Sequence, residues 1–254
     1  MGRRLSEPRI DPAAEAFGSA AADYERARPS YPPDAIDVLR REIGVGSGAR
    51  VLDLAAGTGK LTRLLAGTGA DVVAVEPVEG MRHQLSEVLP EIEVLDGTAE
   101  SIPLDDHSVD VVTVAQAFHW FKYDDALREI KRVLRPGGWL AILFNRRDER
   151  VDWVRTWSDE IEWHGRRISE YESIDWTGLL DGAGYTGLAT ASVEWEQTLN
   201  RDLLAARVRS VSYIAAKSAD EQQEYVDRVV ALTDGFGDTF PLPYVTMMWF
   251  ARAD

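Results

Sequence analysis

From Val51 onward the chain alternates short apolar runs with amphipathic stretches, and this alternation limits the fold more than any other feature. Val51-Leu52-Asp53-Leu54 reads as a strand and Leu61, Leu64 and Leu65 as a helix face. Asp71 to Val75 is a second strand, and Met81 to Leu89 a second helix. Ile92, Val94 and Leu95 mark a third strand. Val109 to Ala115 is a fourth, nearly all apolar, as a strand buried on both faces should be. A helix from Asp124 to Leu134 carries acids at its start and Lys131 and Arg132 at its end. Arg135-Pro136-Gly137-Gly138 stops it, and Trp139 to Phe144 is a fifth strand. Repeated βαβ units predict a parallel sheet covered by helices on both faces, with right-handed crossovers.

Before this region, Ile36, Leu39 and Ile43 predict a helix opened by Pro32-Pro33 and closed by glycines. After it the pattern changes. Trp153, Trp157 and Ile161 recur at helical spacing, Thr190 to Trp195 reads as a strand, and Tyr244 to Phe250 as the closing strand. Between those strands, Asp202 to Ala216 and Ala219 to Leu232 predict two helices separated by the capping box Ser218-x-x-Glu221. The expected organisation is therefore an N-terminal segment at 1–30, a main domain of 31–197 plus 242–254, and a helical lid at 198–241.

The turn Asp53-Leu54-Ala55-Ala56-Gly57-Thr58-Gly59-Lys60 joins the first strand to its helix. Open α/β sheets bind ligands at this edge, and glycines let a ligand approach the main chain. The dinucleotide pattern G-x-G-x-x-G is absent, because Leu61 and Thr62 follow Gly59. The phosphate-loop spacing is absent too, and Asp53 would stand as a negative charge beside any phosphate. A cationic ligand suits the turn better. Glu76 ends the next strand, where a carboxylate can accept from two ribose hydroxyls; that geometry serves a dinucleotide and an adenosyl sulfonium equally.

Composition removes several alternatives. Lys and Arg number 28 against 43 Asp and Glu, a net charge of −15, which disfavours nucleic acid and anionic membrane surfaces as partners. There is no cysteine, hence no thiolate metal site and no cysteine nucleophile. No His, Asp or Glu cluster has metal-ligand spacing. No apolar run is long enough to span a membrane, and residues 1–10 show no apolar secretion signal, so a cytoplasmic location is expected.

Val51 to Gly59 resembles motif I of the class I, seven-stranded, Rossmann-like S-adenosylmethionine-dependent methyltransferases. Glu76-Pro77-x-x-x-Met81, Gly97-Thr98-Ala99-Glu100-x-x-Pro103-Leu104, Asp110-Val111-Val112 and Glu129-Ile130-x-x-Val133-Leu134-Arg135-Pro136-Gly137-Gly138 continue the resemblance in order. They are similar to the type 11 small-molecule branch. Tyr24-x-x-x-Arg28-Pro29-Ser30-Tyr31-Pro32 resembles the start of the trans-aconitate methyltransferase-like subgroup.

The resemblance implies a doubly wound, mostly parallel seven-stranded sheet with its last strand antiparallel. It also implies S-adenosylmethionine as cofactor and S-adenosylhomocysteine as product. Asp53 and the Ala55 carbonyl are then expected at the ligand's amino group, Gly57 and Gly59 along its methionine part, and Glu76 at the ribose, followed by Pro77. Met81 is expected on the adenine, Thr98, Ala99 and Glu100 at the adenine edge, Gln116 near the sulfonium, and Arg28 at the ligand's carboxylate. Thr98 stands where many members carry Asp, and Ala55 where many carry Gly.

The acceptor is read less directly. The aromatic segment after the fourth strand lacks the [Asp/Asn/Ser]-Pro-Pro-aromatic sequence of enzymes that methylate adenine bases. A small organic substrate is expected instead, with O-methylation of a carboxylate or hydroxyl preferred and nitrogen or carbon acceptors left open. His119 is read either as a general base or as a histidine packed in an aromatic turn. Tyr24, Tyr31, Trp120, Arg146 and Tyr213 are candidate substrate-binding residues, against the alternative of plain packing or solvated surface. The expected assembly is a monomer or homodimer. A cofactor-binding protein without catalysis is the alternative reading.

Overall fold

The computed structural model describes residues 28–162 and 174–253. The elements in order are α1 (Pro33–Ile43), β1 (Arg50–Leu54), α2 (Lys60–Ala66), β2 (Asp71–Val75), α3 (Glu79–Val88), β3 (Glu93–Leu95) and β4 (Val109–Ala115). There follow α4 (Tyr123–Val133), β5 (Leu134–Arg147), α5 (Asp152–Glu160), α6 (Trp176–Gly182) and β6 (Tyr185–Leu199). The chain closes with α7 (Arg201–Arg209), α8 (Ser212–Ala215), α9 (Ala219–Ala231) and β7 (Phe240–Ala253).

One seven-stranded sheet has the order β3-β2-β1-β4-β5-β7-β6. The first five strands run parallel, and β7 is antiparallel to both β5 and β6. This is the doubly wound sheet with an antiparallel last strand that the resemblance implied. Order reverses at β1 and β4, so the turns after these strands meet at the topological switch point.

Side chains alternate across each strand and feed two cores. Leu52, Leu54, Val112, Val114, Ile142 and Phe144 pack under α4 and α6. Val51, Val72, Val111, Ala141 and Leu143 pack under α1 and α2. Asp53 is two residues from Val51 and Thr113 two from Val111, so both carry polar groups into the α1–α2 side. A further apolar cluster joins α5 to α7, α8 and α9 against the neighbouring ends of β6 and β7. It contains Trp157, with Trp153 stacked on it at 6.2 Å.

Two expectations are corrected in detail, and one element was not expected. The helix expected over 202–216 breaks after Arg209: Ser210 Oγ donates to Arg207 O at 2.7 Å, a local bond that competes with the helical ladder. Strands β6 and β7 extend well beyond their expected cores, because their antiparallel pairing continues from Tyr185↔Ala253 to Leu199↔Phe240. α6 had no recognised sequence signal, and it packs through Trp176 and Leu180. Among the described residues no helix is long and apolar enough to cross a membrane.

Candidate functional site

The turn after β1 is built from backbone that L-residues seldom adopt. Ala55 has φ 57° and Gly57 φ 59°. A hydrogen bond from Ala56 N–H to Val75 O at 3.2 Å fixes the turn to the end of β2. Gly59, with φ 85°, leads into α2 in a conformation that favours glycine, and a Cβ there would stand 2.2 Å from Leu85 Cδ1 and displace that side chain. A Cβ at Gly57 would meet only the Met81 sulfur, 4.0 Å away. The main chain at Gly57 therefore presents an open face beside Met81, the kind of cradle a ligand's extended chain can lie against.

Two buried carboxylates border this cradle. Asp53 is 1% exposed and accepts from Thr62 Oγ1 at 2.6 Å and Thr113 Oγ1 at 3.0 Å. Burial pushes its carboxyl up to about 6; the two hydroxyls oppose this, and the neighbouring Glu76 charge adds to it. Glu76 is 4% exposed and accepts from Gly57 N–H at 2.8 Å and Val78 N–H at 2.9 Å, one bond on each oxygen. Burial raises its carboxyl above the usual range, while these N–H groups and Arg82 pull it back. A carboxylate can accept about four bonds. Glu76 thus keeps acceptor capacity on both oxygens, which suits a vicinal diol. Arg82 braces the turn, donating to Glu76 O at 2.9 Å and Pro77 O at 2.6 Å and pairing with Asp96 at 2.9 Å.

Asp53, Ala55, Gly57, Gly59, Glu76, Pro77 and Met81 therefore gather at one corner. The next loop is a tight turn in which Thr98 and Ser101 exchange backbone bonds of 3.3 and 3.2 Å, with Ala99 buried inside it. Glu100 Oε1 accepts from Lys122 N–H at 2.9 Å, which ties this loop to the start of α4.

At the tip of β4, Gln116 is exposed and left-handed, with φ 60°. Its N–H donates to Leu143 O at 2.9 Å and its Nε2 to Asn145 O at 3.2 Å. A non-glycine residue held in this conformation stores strain at a switch point. His119 follows on a single 3₁₀ turn, its ring 4.5 Å from that of Trp120 and 5.7 Å from that of Phe144. Burial pushes its imidazole down to about 4, so it is neutral near pH 7. Trp120 is 44% exposed beside it.

The other expected residues are spread. Arg28 donates to Ser210 O in the segment after α7. Tyr31 lies in the apolar cluster under α1, a packing position. Arg146 is half-buried near the end of β5. The Tyr213 hydroxyl donates to Ile161 O and links α8 to the end of α5. Tyr24 lies outside the described residues. Sequence reasoning did not find Thr62, Thr113, Arg82, Asn145 or Arg207. For Arg207 a signal existed, an arginine in the inward row Leu204, Arg207, Val208, Val211.

Residues 52–142 match the family model described as a methyltransferase domain. An uncharacterized methyltransferase of Mycobacterium tuberculosis is 43% identical over 238 residues, covering 91% of this chain and 93% of that protein. A malonyl-acyl-carrier-protein O-methyltransferase of Methylococcus capsulatus is 35% identical over 162 residues, 54% of this chain and 56% of the relative. Among solved structures, a candidate type II methyltransferase from Anaeromyxobacter dehalogenans superposes with a TM-score of 0.66 at 25% identity, over 89% of this chain and 97% of that one. With the seven-stranded order and the carboxylate-bordered glycine turn in place, the chain belongs to the class I S-adenosylmethionine-dependent methyltransferase family.

Proposed function

We propose that the protein transfers a methyl group to an oxygen of a small organic acid or alcohol. The observation that carries the methyl-donor part of this reading is Glu76, buried at the end of β2 with one backbone N–H on each oxygen and acceptor capacity to spare. S-adenosylmethionine, when bound, supplies a methyl group already activated on a sulfonium, whose sulfur keeps the bonding electron pair as a thioether when an acceptor oxygen takes the methyl carbon.

The protein's task is then to bind, orient and dehydrate. Glu76 takes the ribose hydroxyls, and the open main chain at Gly57 receives the aminoacyl chain. Met81 would pack on the adenine, with its sulfur beside Gly57. Ala99 and the Thr98–Ser101 turn flank the base. Asp53 supports the turn through Thr62 and Thr113 and places a carboxyl behind the ammonium. Gln116 holds the end of β4 against β5 where the acceptor enters.

A carboxylate acceptor is ionised already and needs no base, whereas a hydroxyl acceptor releases its proton to water as the new carbon–oxygen bond forms. His119, neutral and weakly basic in its aromatic turn, fits a partner that positions an oxygen better than one that removes its proton. The relative from Methylococcus capsulatus, named as an O-methyltransferase of a malonyl group, supports oxygen as the acceptor atom.

The test is thermal unfolding with S-adenosylhomocysteine, with NAD and ATP as controls. At about 100 times its dissociation constant a ligand stabilises by about 2.7 kcal/mol, a rise of about 5–11 °C for this chain length. A rise with S-adenosylhomocysteine alone is expected, and no rise in a folded, ligand-free sample defeats the cofactor assignment. Transfer of labelled methyl to carboxylic acids rather than amines then tests the acceptor atom.

A further inference from the structure

Among the described residues only three charged side chains are buried: Asp53, Glu76 and Arg207. The first two form the cofactor corner. Arg207 lies elsewhere, on the inward side of α7. Six of the other buried polar residues divide in the same way, with Thr68, Ser158 and Thr233 outside both groups. Thr58, Thr62 and Thr113 stand with Asp53 and Glu76, whereas Asn145, Ser210 and Thr246 gather where β5 and β7 meet the end of α7.

A chain of contacts runs from Gln116, at the tip of β4, to Arg207. Its Nε2 donates to Asn145 O at 3.2 Å, and Asn145 Oδ1 accepts from Thr246 Oγ1 at 2.6 Å. Thr246 accepts from Trp195 Nε1 at 2.9 Å, and Trp195 stacks on Tyr244 at 5.1 Å. The Tyr244 hydroxyl accepts from Arg207 Nε at 3.4 Å, and Ser210 Oγ accepts from Nη1 at 3.2 Å. Asn145 Nδ2 also donates to Ser30 O at 2.9 Å, which brings the segment before α1 to the same place.

Arg207 is poorly compensated. Its two partners are neutral hydroxyls, one of them beyond the usual N–H···O range of about 2.7–3.2 Å. Nη2 has no partner among the described residues and is not sealed from solvent. A guanidinium does not escape burial by losing its proton, and a buried charge without a counter-charge destabilises a fold. A structural site would supply a carboxylate. A binding site leaves that place to its ligand.

We propose that Arg207 is the anion-recognition group of the acceptor site and that the methyl acceptor carries a carboxylate held at its free edge. The pairing suits arginine, whose planar fork matches a carboxylate. Carboxylate pairing draws charge from the bound oxygens. The oxygen that is methylated therefore belongs to a second carboxylate or hydroxyl of the same molecule, placed towards Gln116. This inference rests on the methyltransferase reading of the Glu76 corner. The same chemistry exists in the cofactor's own carboxylate, and the test separates the two.

The variant is Arg207→Met, of similar length and apolar. First, the ligand-free variant should melt at or above the wild-type temperature. A fall of more than about 5 °C would mark Arg207 as structural and overturn the proposal. Second, its affinity for S-adenosylhomocysteine should stay within about twofold; a loss of about tenfold or more assigns the arginine to the cofactor and overturns the acceptor role. Third, protein saturated with S-adenosylhomocysteine is titrated with malonate, succinate and citrate, and with their amides. At least one acid and no amide should stabilise the wild type, and the variant should lose about tenfold or more in that affinity. No response to any acid, or an equal response in the variant, overturns the proposal. A variant that does not fold counts with that fall and overturns the proposal; Arg207→Lys, which keeps the charge, is run beside it in the second and third arms, with the acid affinity falling and S-adenosylhomocysteine affinity retained. A wild type that ignores S-adenosylhomocysteine brings down the underlying reading instead.

Discussion

Asp53 binds its proton more tightly in the folded protein than in the unfolded chain, and the sign of the resulting pH dependence follows. Its carboxyl moves from 3.8 to about 6 on folding, so between these values the native state carries more protons, and stability falls as pH rises through the window. The contribution is present below about 3.8 and lost above about 6. Asn at this position has no such proton. Urea unfolding should therefore show Asp53→Asn gaining about 2 kcal/mol relative to wild type between pH 4 and pH 7; a difference that stays flat across the window would contradict the assignment. Glu76 makes a second prediction. Glu76→Gln sets an NH₂ against one of the N–H groups of Gly57 and Val78, and should weaken S-adenosylhomocysteine binding about 10- to 100-fold by calorimetry. An unchanged affinity in a folded variant removes Glu76 from the ribose. Both acids could be read in the sequence, because a strand end beside a glycine turn fixes where a carboxylate must point. The residues that tune them could not. Thr62 reaches Asp53 from the next helix and Thr113 from the neighbouring strand, 60 residues away in the chain. Only tertiary folding makes these contacts.

At the scale of elements, the turn leading into α2 and the cap of α9 were both visible in the sequence, and each yields a measurable cost. Gly59 combines φ 85° with a Cβ position 2.2 Å from Leu85 Cδ1. Gly59→Ala must pay for left-handed backbone and for overpacking together, a loss of about 2–4 kcal/mol in unfolding free energy. A loss below about 1 kcal/mol would show that Leu85 yields and that the turn is not rigidly set. The capping box of α9 has both of its bonds, Ser218 Oγ to Glu221 N–H at 3.4 Å and Glu221 Oε2 to Ser218 N–H at 3.0 Å. Ser218→Ala should cost about 1 kcal/mol. β1, β2 and β4 were legible because they are buried on both faces and read as largely apolar runs, whereas β3 is short and partly exposed. β6 was legible only in its middle: it is an edge strand whose outward positions are largely exposed, so its ends have no hydrophobic signature to announce them.

On the scale of the whole molecule, the apolar interior is divided, and the division sets how the protein should open. The sheet has its two cores under α4–α6 and under α1–α2, while α5 and α7 to α9 share another cluster that reaches the sheet only at the ends of β6 and β7. Few side-chain bonds cross from these helices to the rest of the sheet: Arg28 donates to Ser210 O, and Arg147 on β5 donates to Ser158 Oγ on α5 at 3.1 Å. A body with its own core and few ties to the rest opens as a unit, below the free energy of global unfolding. We therefore expect hydrogen exchange to show the amides of α7 and α9 exchanging as a group, faster than those of β1, β4 and β5. S-adenosylhomocysteine should slow the turn at 55–59 and the tip of β4 most. An acid bound at Arg207 should add protection on α7, whose only buried charge it would neutralise, and little on β1. Exchange of α7 and α9 at the same rate as β4 would show one cooperative body. The helices would then be a fixed wall of the acceptor site, and acids would have to enter past Trp120 rather than by displacement of α7.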